Sequence, residues 1–161
     1  MRYVGLDLST KTGVCILSPS GEVLYEEEFV YKNITTPDDM LLLIFDVMDC
    51  ISEKDVVVIE GFGYASKTGF LLGGIGWAIR MELSKRNIPF YVVAPTALKK
   101  YATGSGKADK RKVAVEVNKR WGFYSDSDNI TDAYVLAQIG RGLKGEYEPI
   151  KVQQEVLKKI K

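Results

Sequence analysis

The sequence predicts one α/β domain with a mixed five-stranded sheet flanked by helices. Residues 3–31 contain three apolar, strand-like runs joined by short loops of turn-forming residues, which is typical of an antiparallel meander. Two further β-branched runs, at 55–60 and 90–93, alternate with stretches of helical periodicity, as in sheets that contain parallel strands. The length of 161 residues suits a single domain, and no internal repeat or linker-like segment interrupts the chain.

The boundaries of these elements follow from turn and capping signals. Polar turns at Ser9–Gly13 and Pro19–Gly21 separate the first three strands, and Thr36–Asp39 has the composition of a helix start. We assign residues 1–150 to the domain and 151–161 to an amphipathic or frayed C-terminal tail. In chain order the predicted elements are strands at 3–8, 14–17, 23–31, 55–60 and 90–93, and helices at 40–51, 70–86, 108–121 and 130–143.

The composition excludes several kinds of catalysis. The chain contains no histidine, which excludes Ser-His-Asp and Cys-His mechanisms and histidine-ligated zinc. Its two cysteines, Cys15 and Cys50, lie in apolar segments and indicate free thiols in a reducing compartment. The net charge is +1, so any affinity for nucleic acid must come from the distribution of charge.

The N-terminal residues run directly into a strand and lack the basic region of a signal peptide. No apolar stretch approaches the roughly 18 residues that a membrane-spanning helix needs. We therefore expect a cytoplasmic protein without a membrane partner.

Two carboxylates lie in strongly apolar strands. Asp7 is part of the run Val4–Leu8, and Glu60 ends the run Val56–Glu60. Buried carboxylates are costly to desolvate unless they are paired, hydrogen-bonded or bound to a cation. The alternative interpretations are that Asp7 caps the following turn and that Glu60 is an ordinary charge at a strand end.

A second pair of carboxylates begins the last core helix. Asp128 and Asp132 are four residues apart, so they share one helix face, although Asp128 alone could be a plain N-cap. With Asp7 and Glu60 they form a set of hard oxygen ligands that favours Mg²⁺ or Mn²⁺ over zinc or copper. Two such ions about 3.5–4 Å apart activate water and stabilise the leaving oxygen in phosphodiester hydrolysis.

A basic segment lies around a glycine-containing loop and the helix that follows it. Its charges either form a solvated helix face or bind DNA phosphates, and the glycine loop at a helix N-terminus favours phosphate. The aromatic residues Phe62 and Tyr64 follow Glu60 directly, where they either stack on unpaired bases or belong to a core or a subunit interface. The basic candidates for DNA contact are Lys99, Lys100, Lys107, Lys110 and Arg111.

With these motifs the chain resembles the RuvC-like Holliday junction resolvases of the RNase H-like superfamily, and phage-type members in particular. Residues 5–13 match the family's first acidic strand and turn, 58–60 its second acidic strand, and 131–137 its last acidic helix. Residues 95–99 and 104–110 are similar to two lysine-containing segments between them. Each motif alone is weak, but their order and spacing extend over nearly the whole chain.

The resemblance implies an RNase H-like fold and a homodimer that nicks four-way DNA junctions symmetrically with two Mg²⁺ or Mn²⁺ ions per active site. It implies that Asp7, Glu60 and Asp132 are metal ligands. The family has Asp or His three residues before the last Asp, where this chain has Asn129, so Asp128 is the charged candidate for the fourth position. The alternative is that Asn129 completes the site as a weak ligand through its carbonyl oxygen.

The resemblance also implies roles outside the acidic set. Lys99 and Lys110 are expected near the scissile phosphate, with Lys110 as a catalytic residue. The glycine-rich helix that follows Glu60 corresponds to the family's dimer interface, which Phe70, Ile75 and Trp77 would line.

Three other interpretations remain at this stage. The first is a nuclease of broader specificity for branched DNA, such as flaps and forks. The second is a catalytically inert nucleic-acid-binding protein on the same fold, although the complete acidic set argues against it. The third is an ATP-binding fold of the actin or sugar-kinase type, whose second lobe does not fit into 161 residues.

Overall fold

The computed structural model describes residues 1–61 and 69–160. Its five strands form one sheet in the order β3-β2-β1-β4-β5. The first three strands are antiparallel neighbours, whereas β4 pairs with β1, and β5 with β4, in parallel. This arrangement confirms the predicted mixed sheet. The strands are β1 (Tyr3–Asp7), β2 (Lys11–Leu17), β3 (Val23–Val30), β4 (Val56–Glu60) and β5 (Phe90–Val93).

Helices cover both faces of the sheet, in agreement with the α/β prediction. One core cluster contains residues of α3, α4, α5 and α6, and the other contains residues of α1 and α2 on the opposite face. No helix in the described part of the chain is long and apolar enough to cross a membrane. The helices are α1 (Pro37–Asp49), α2 (Gly69–Lys85), α3 (Pro95–Thr103), α4 (Lys110–Trp121), α5 (Asp128–Leu143) and α6 (Lys151–Leu157).

Two helices differ from the sequence prediction. Helix α3 was not predicted; Pro95 occupies its first turn, where the fixed φ of proline suits a helix, and Gly104 ends it with a φ of 86°. The C-terminal segment, expected to be an amphipathic or frayed tail, contains α6, which packs against α3 and buries Val156.

Helix α5 is the element that determines the position of the site. It lies directly against β1 and β2 because Gly5 and Gly13 have no side chains. A Cβ atom on Gly5 would lie 1.8 Å from the carbonyl oxygen of Ala133, and one on Gly13 would lie 2.2 Å from that of Asn129. The close approach brings the first two turns of α5 to the end of β1 where Asp7 lies.

Candidate active site

Three of the predicted acids meet at one end of the sheet. Asp7 ends β1 and Glu60 ends β4, and the parallel register that pairs Leu6 with Ile59 makes these two acids neighbours. Asp132 lies in the second turn of α5, which packs over β1. Carboxyl ends of parallel strands are a common location for functional groups in α/β sheets.

The environment of these acids disfavours their charged forms. Burial raises the pKa of Asp7 to about 6 and that of Asp132 to about 7, and the Asp7 charge further raises the pKa of Asp132. Burial, together with the charges of Asp7 and Asp132, raises the pKa of Glu60 to about 9. Glu60 also shares a hydrogen bond with Asp7 that favours a protonated Glu60 beside an ionised Asp7.

The donor set fits a hard divalent cation. Three carboxylates that are buried or partly buried and repel one another are stabilised together by a cation, and oxygen ligands are those that Mg²⁺ and Mn²⁺ prefer. As the side chains stand, no group of three acidic or cysteine residues within 1–61 and 69–160 converges on a single ion position. Asp7 and Glu60 face each other through their shared hydrogen bond instead, so cation binding must displace a proton.

The simpler interpretations of Asp7 and Asp128 do not hold. The turn after Asp7 is held by Thr12, whose Oγ1 donates to the carbonyl oxygen of Ser9 at 2.6 Å. The N-cap of α5 is Ser127, whose Oγ accepts from the backbone N–H of Ile130 at 3.2 Å. Asp128 is therefore not the N-cap of α5.

Asp128 lies further out than the other three acids. Its side chain is 52% exposed, and its Oδ2 lies 3.0 Å from Nζ of Lys110 in an ion pair. The charge of Asp128 nevertheless contributes to the raised pKa of Asp132, so the two acids of α5 belong to the same electrostatic environment.

Two lysines flank the acids. The hydrogen bond with Asp128, and then the charges of Asp128, Asp132 and Asp7, raise the pKa of Lys110. The charge of Lys99 opposes the raised pKa of both Glu60 and Asp132. Both lysines therefore lie within electrostatic range of the acidic cluster.

The other basic candidates are of two kinds. Lys107 and Arg111 are exposed around the start of α4. Lys100 forms an ion pair with Glu155 of α6, with 3.0 Å between Nζ and Oε2. Of the aromatic candidates, Phe62 and Tyr64 lie outside the described residues.

One further acid, Glu28 on β3, lies beside the start of α5 and was not predicted from the sequence. Its carboxylate accepts from the Oγ of Ser127, and from Nδ2 of Asn129 at 2.9 Å. These hydrogen bonds lower the pKa of Glu28. In the sequence Glu28 is one of three consecutive glutamates in a strand, and no local pattern shows which of them faces α5. It lines an open polar cavity of about 650 Å³ together with Ser9, Thr10, Lys11, Lys110, Asp126, Ser127, Asp128 and Asn129.

One of the three predicted interface residues is corrected by the structure. Phe70 and Trp77 are 99% and 63% exposed on α2, but Ile75 is fully buried in the core between α2 and the sheet. Since Ile75 packs inside its own subunit, it cannot line an interface with another.

The mixed sheet with helices on both faces is an RNase H-like fold, and a cluster of carboxylates lies at the ends of β1 and β4 and the start of α5. The chain also matches the family model of the crossover junction endodeoxyribonuclease RuvC over residues 4–139. This chain belongs to the RuvC family of crossover junction endodeoxyribonucleases.

Curated relatives and solved structures agree with the family. The RuvC of Helicobacter pylori is 31% identical over 147 residues, which cover 85% of this chain and 94% of the relative. The RuvC of Chloroflexus aggregans is 29% identical over 150 residues, which cover 85% of this chain and 90% of the relative. The structure of Thermus thermophilus RuvC superposes with a TM-score of 0.72 at 20% identity, covering 93% of this chain and 100% of the other. A second structure, of T. thermophilus RuvC in complex with a Holliday junction substrate, gives 0.68 at 18% identity, with 93% and 99% covered.

Proposed function

We propose that this RuvC-family enzyme resolves four-way DNA junctions by hydrolysing one phosphodiester bond in each of two strands, at symmetric positions. The observation that carries the proposal is the cluster of three carboxylates, the buried Asp7 and the partly buried Glu60 and Asp132, which no neighbouring side chain within residues 1–61 and 69–160 fully neutralises. The fold supports the substrate class, because a relative of the same fold was solved with a Holliday junction substrate.

In this proposal Asp7, Glu60 and Asp132 hold two Mg²⁺ or Mn²⁺ ions, with Asp128 as a fourth candidate ligand from the rim. The bound ions supply an activated water and charge stabilisation at the scissile phosphate. The chain's own contribution begins with deprotonation: on cation binding, Glu60 would release to the solvent the proton that it shares with Asp7. The expectation of a phage-type member remains a prediction.

The basic residues orient the DNA. Lys110 and Lys99, both within electrostatic range of the acidic cluster, contact the scissile phosphate and stabilise the charge that develops on it. Lys107 and Arg111 bind flanking phosphates, Lys100 contributes where its pairing with Glu155 permits, and Phe62 and Tyr64 stack on unpaired bases at the branch point. We further propose that the enzyme acts in the cytoplasm of a bacterial or phage-infected host cell.

Symmetric cleavage requires two active sites, and we propose that a homodimer provides them. Helices α1 and α2 expose an apolar face made of Leu41, Leu42, Phe45, Trp77 and Met81, each between 55% and 68% exposed. Apolar residues that are contiguous on the surface mark an interaction site. A two-fold axis through this face would give an isologous interface, in which Trp77 and the neighbouring Phe70 meet their counterparts.

The test is cleavage of an end-labelled mobile four-way junction in Mg²⁺ and in Mn²⁺. We expect Asp7→Asn, Glu60→Gln and Asp132→Asn each to reduce nicking by at least about 10³-fold while leaving junction binding intact, as removal of a metal ligand does. Asp126→Asn is the matched control, an exposed acid of the same cavity rim, and should cleave like the wild type.

Other substrates distinguish the remaining interpretations. Equal rates on flaps, forks and junctions would replace the proposal with a nuclease of broader specificity for branched DNA. Junction binding without nicking in either metal would identify an inert nucleic-acid-binding protein. Full cleavage by all three acidic variants would contradict the mechanism itself.

A further inference from the structure

Three adjacent strands place Asp7, Gly13 and Glu28 in one row across the sheet. Asp7 pairs with Gly13 in the antiparallel register of β1 and β2, and Gly13 pairs with Glu28 in that of β2 and β3. Residues paired in this way point to the same face of a sheet. Asp7 and Glu28 therefore face α5 from two strands that lie roughly 10 Å apart, with a glycine between them.

The first turn of α5 occupies the space above that glycine. The backbone carbonyl of Asn129 lies so close that a Cβ atom on Gly13 would come within 2.2 Å of it. The side chain of Asn129 therefore starts from a point between Asp7 and Glu28.

Glu28 determines which way the Asn129 amide is turned. A carboxylate only accepts hydrogen bonds, so the amide group that lies 2.9 Å from Glu28 must be the nitrogen, Nδ2. The carbonyl oxygen Oδ1 is then the outward end of the amide, and no hydrogen bond among the described residues reaches it. An amide oxygen is a good ligand for a hard cation, whereas an amide nitrogen is not.

Glu28 itself is held firmly enough to orient a neighbour. Besides the contact with Asn129, it accepts a hydrogen bond from the Oγ of Ser127, the residue that caps α5. The carboxylate therefore connects β3 to the first turn of the helix at two points. The alternative fourth ligand, Asp128, is already engaged in its ion pair with Lys110.

We propose that Glu28 is a positioning residue of the metal centre: it holds Nδ2 of Asn129 towards β3, so that Oδ1 is presented to a divalent cation bound by Asp7. This inference rests on the proposed function and adds a ligand, Asn129, together with the residue that orients it. Groups that orient a metal ligand through a hydrogen bond commonly change metal affinity by roughly 10- to 100-fold when they are removed.

The experiment is isothermal titration of the DNA-free protein with Mn²⁺ alone, at a fixed pH. Glu28→Ala and Asn129→Leu should each weaken Mn²⁺ binding by roughly tenfold, and the loss in the double variant should be far smaller than the product of the two single losses, because Glu28 acts mainly through Asn129 and only weakly through its charge on Asp7. Glu26→Ala is the matched control: it removes an exposed glutamate from the same face of the same strand and should leave the affinity unchanged.

A second variant tests the role of Glu28 if Glu28→Ala unfolds the protein. It exchanges the carboxylate and the amide between residues 28 and 129. In the double variant Glu28→Gln with Asn129→Asp, the new amide donates to the new carboxylate, the net charge is conserved and an oxygen ligand remains at residue 129. Its Mn²⁺ affinity should be within about threefold of the wild type, and circular dichroism should show the native melting transition.

The outcomes separate this inference from the function on which it rests. If the wild type does not bind Mn²⁺, or if Asp7→Asn binds it equally well, the proposed metal centre fails. If Asp7→Asn abolishes binding but Glu28→Ala binds like the wild type, or if the effects of Glu28→Ala and Asn129→Leu multiply, the role of Glu28 is wrong and the metal centre stands.

Discussion

Asp55 and Asp7 lie at opposite ends of the neighbouring strands β4 and β1, and both are buried, with exposed fractions of 1% and 8%. Asp55 accepts two hydrogen bonds from Arg2, at 3.0 and 2.7 Å, and one from the backbone N–H of Ser52. Burial alone would raise its pKa, but Arg2 and Ser52 hold the pKa of Asp55 below its usual value. Asp7 faces Glu60 instead, and its pKa is raised.

The difference distinguishes a structural acid from a functional one. At one end of the strand pair, the fold supplies the cation itself, in the form of the Arg2 guanidinium. At the other end three acids share a site whose neighbouring lysines only partly offset the cost of burial. A buried carboxylate with an internal cation stabilises the fold, whereas buried carboxylates without one are suited to bind a cation from solution.

The first prediction concerns the free energy of unfolding, which should change in opposite directions when the two acids are replaced. Asp55→Ala should lower the free energy of unfolding by about 2 kcal/mol, because it leaves Arg2 and the Ser52 N–H without their partner. Asp7→Asn should raise it by roughly 1 kcal/mol in the metal-free protein, because a neutral side chain replaces one that is costly to ionise. Urea unfolding at pH 8 with EDTA measures both, and a loss of similar size in both variants would remove the distinction.

An effect of at least similar size on the free energy of unfolding is expected from pH. In the folded protein the pKa of Asp132 is about 7 and that of Glu60 about 9, both above their usual values near 4. A raised pKa of this kind contributes stability below pH 4, and that stability is lost as the pH rises through 7 and 9. The metal-free protein should therefore lose about 2 kcal/mol or more of unfolding free energy between pH 5 and pH 9.

Two controls refine the pH experiment. Glu60→Gln should flatten the profile, since the residue with the highest pKa no longer titrates. Saturating Mg²⁺ or Mn²⁺ should reverse the loss at high pH, because the ions bind the ionised acids. A profile that is flat in the wild type would show that the acids are not costly to ionise.

The fold was largely predictable because its signals are local. The β-branched runs around Val4, Val57 and Val92 and the turns between the first strands specify all five strands. Helix α3 was missed because its nine residues are too short for periodicity to stand out beside Pro95 and Gly104. Ile75 was placed on the wrong side of α2 because that helix is apolar and glycine-rich all round, so its sequence does not show which side faces the sheet.

The site was predictable only as far as single elements reveal it. Asp7, Glu60 and Asp132 are conspicuous because each lies among apolar residues of its own strand or helix. Glu28 can be assigned to the site only when the pairing of β3 with β2 is known. That pairing places Glu28 beside Gly13, where it accepts a hydrogen bond from Asn129. The partner of Asp128 likewise depends on how α4 packs near α5, which no local pattern contains.

The smallest expected effect is on DNA binding, and it compares a lysine that has an internal ion-pair partner with one that has none in the described part of the chain. Lys100 has an internal partner, Glu155, whereas no ion pair among the described residues involves Lys107. Lys107→Ala should weaken junction binding and reduce the salt dependence of the binding constant by about one counterion. Lys100→Ala should change both less, because in the free protein Glu155 already competes with phosphate for its charge. Binding isotherms of the two variants over a series of salt concentrations measure this difference. If the two variants change the salt dependence of the binding constant equally, Glu155 must release Lys100 when DNA binds. An internal ion pair would then not distinguish a structural lysine from a DNA-binding one.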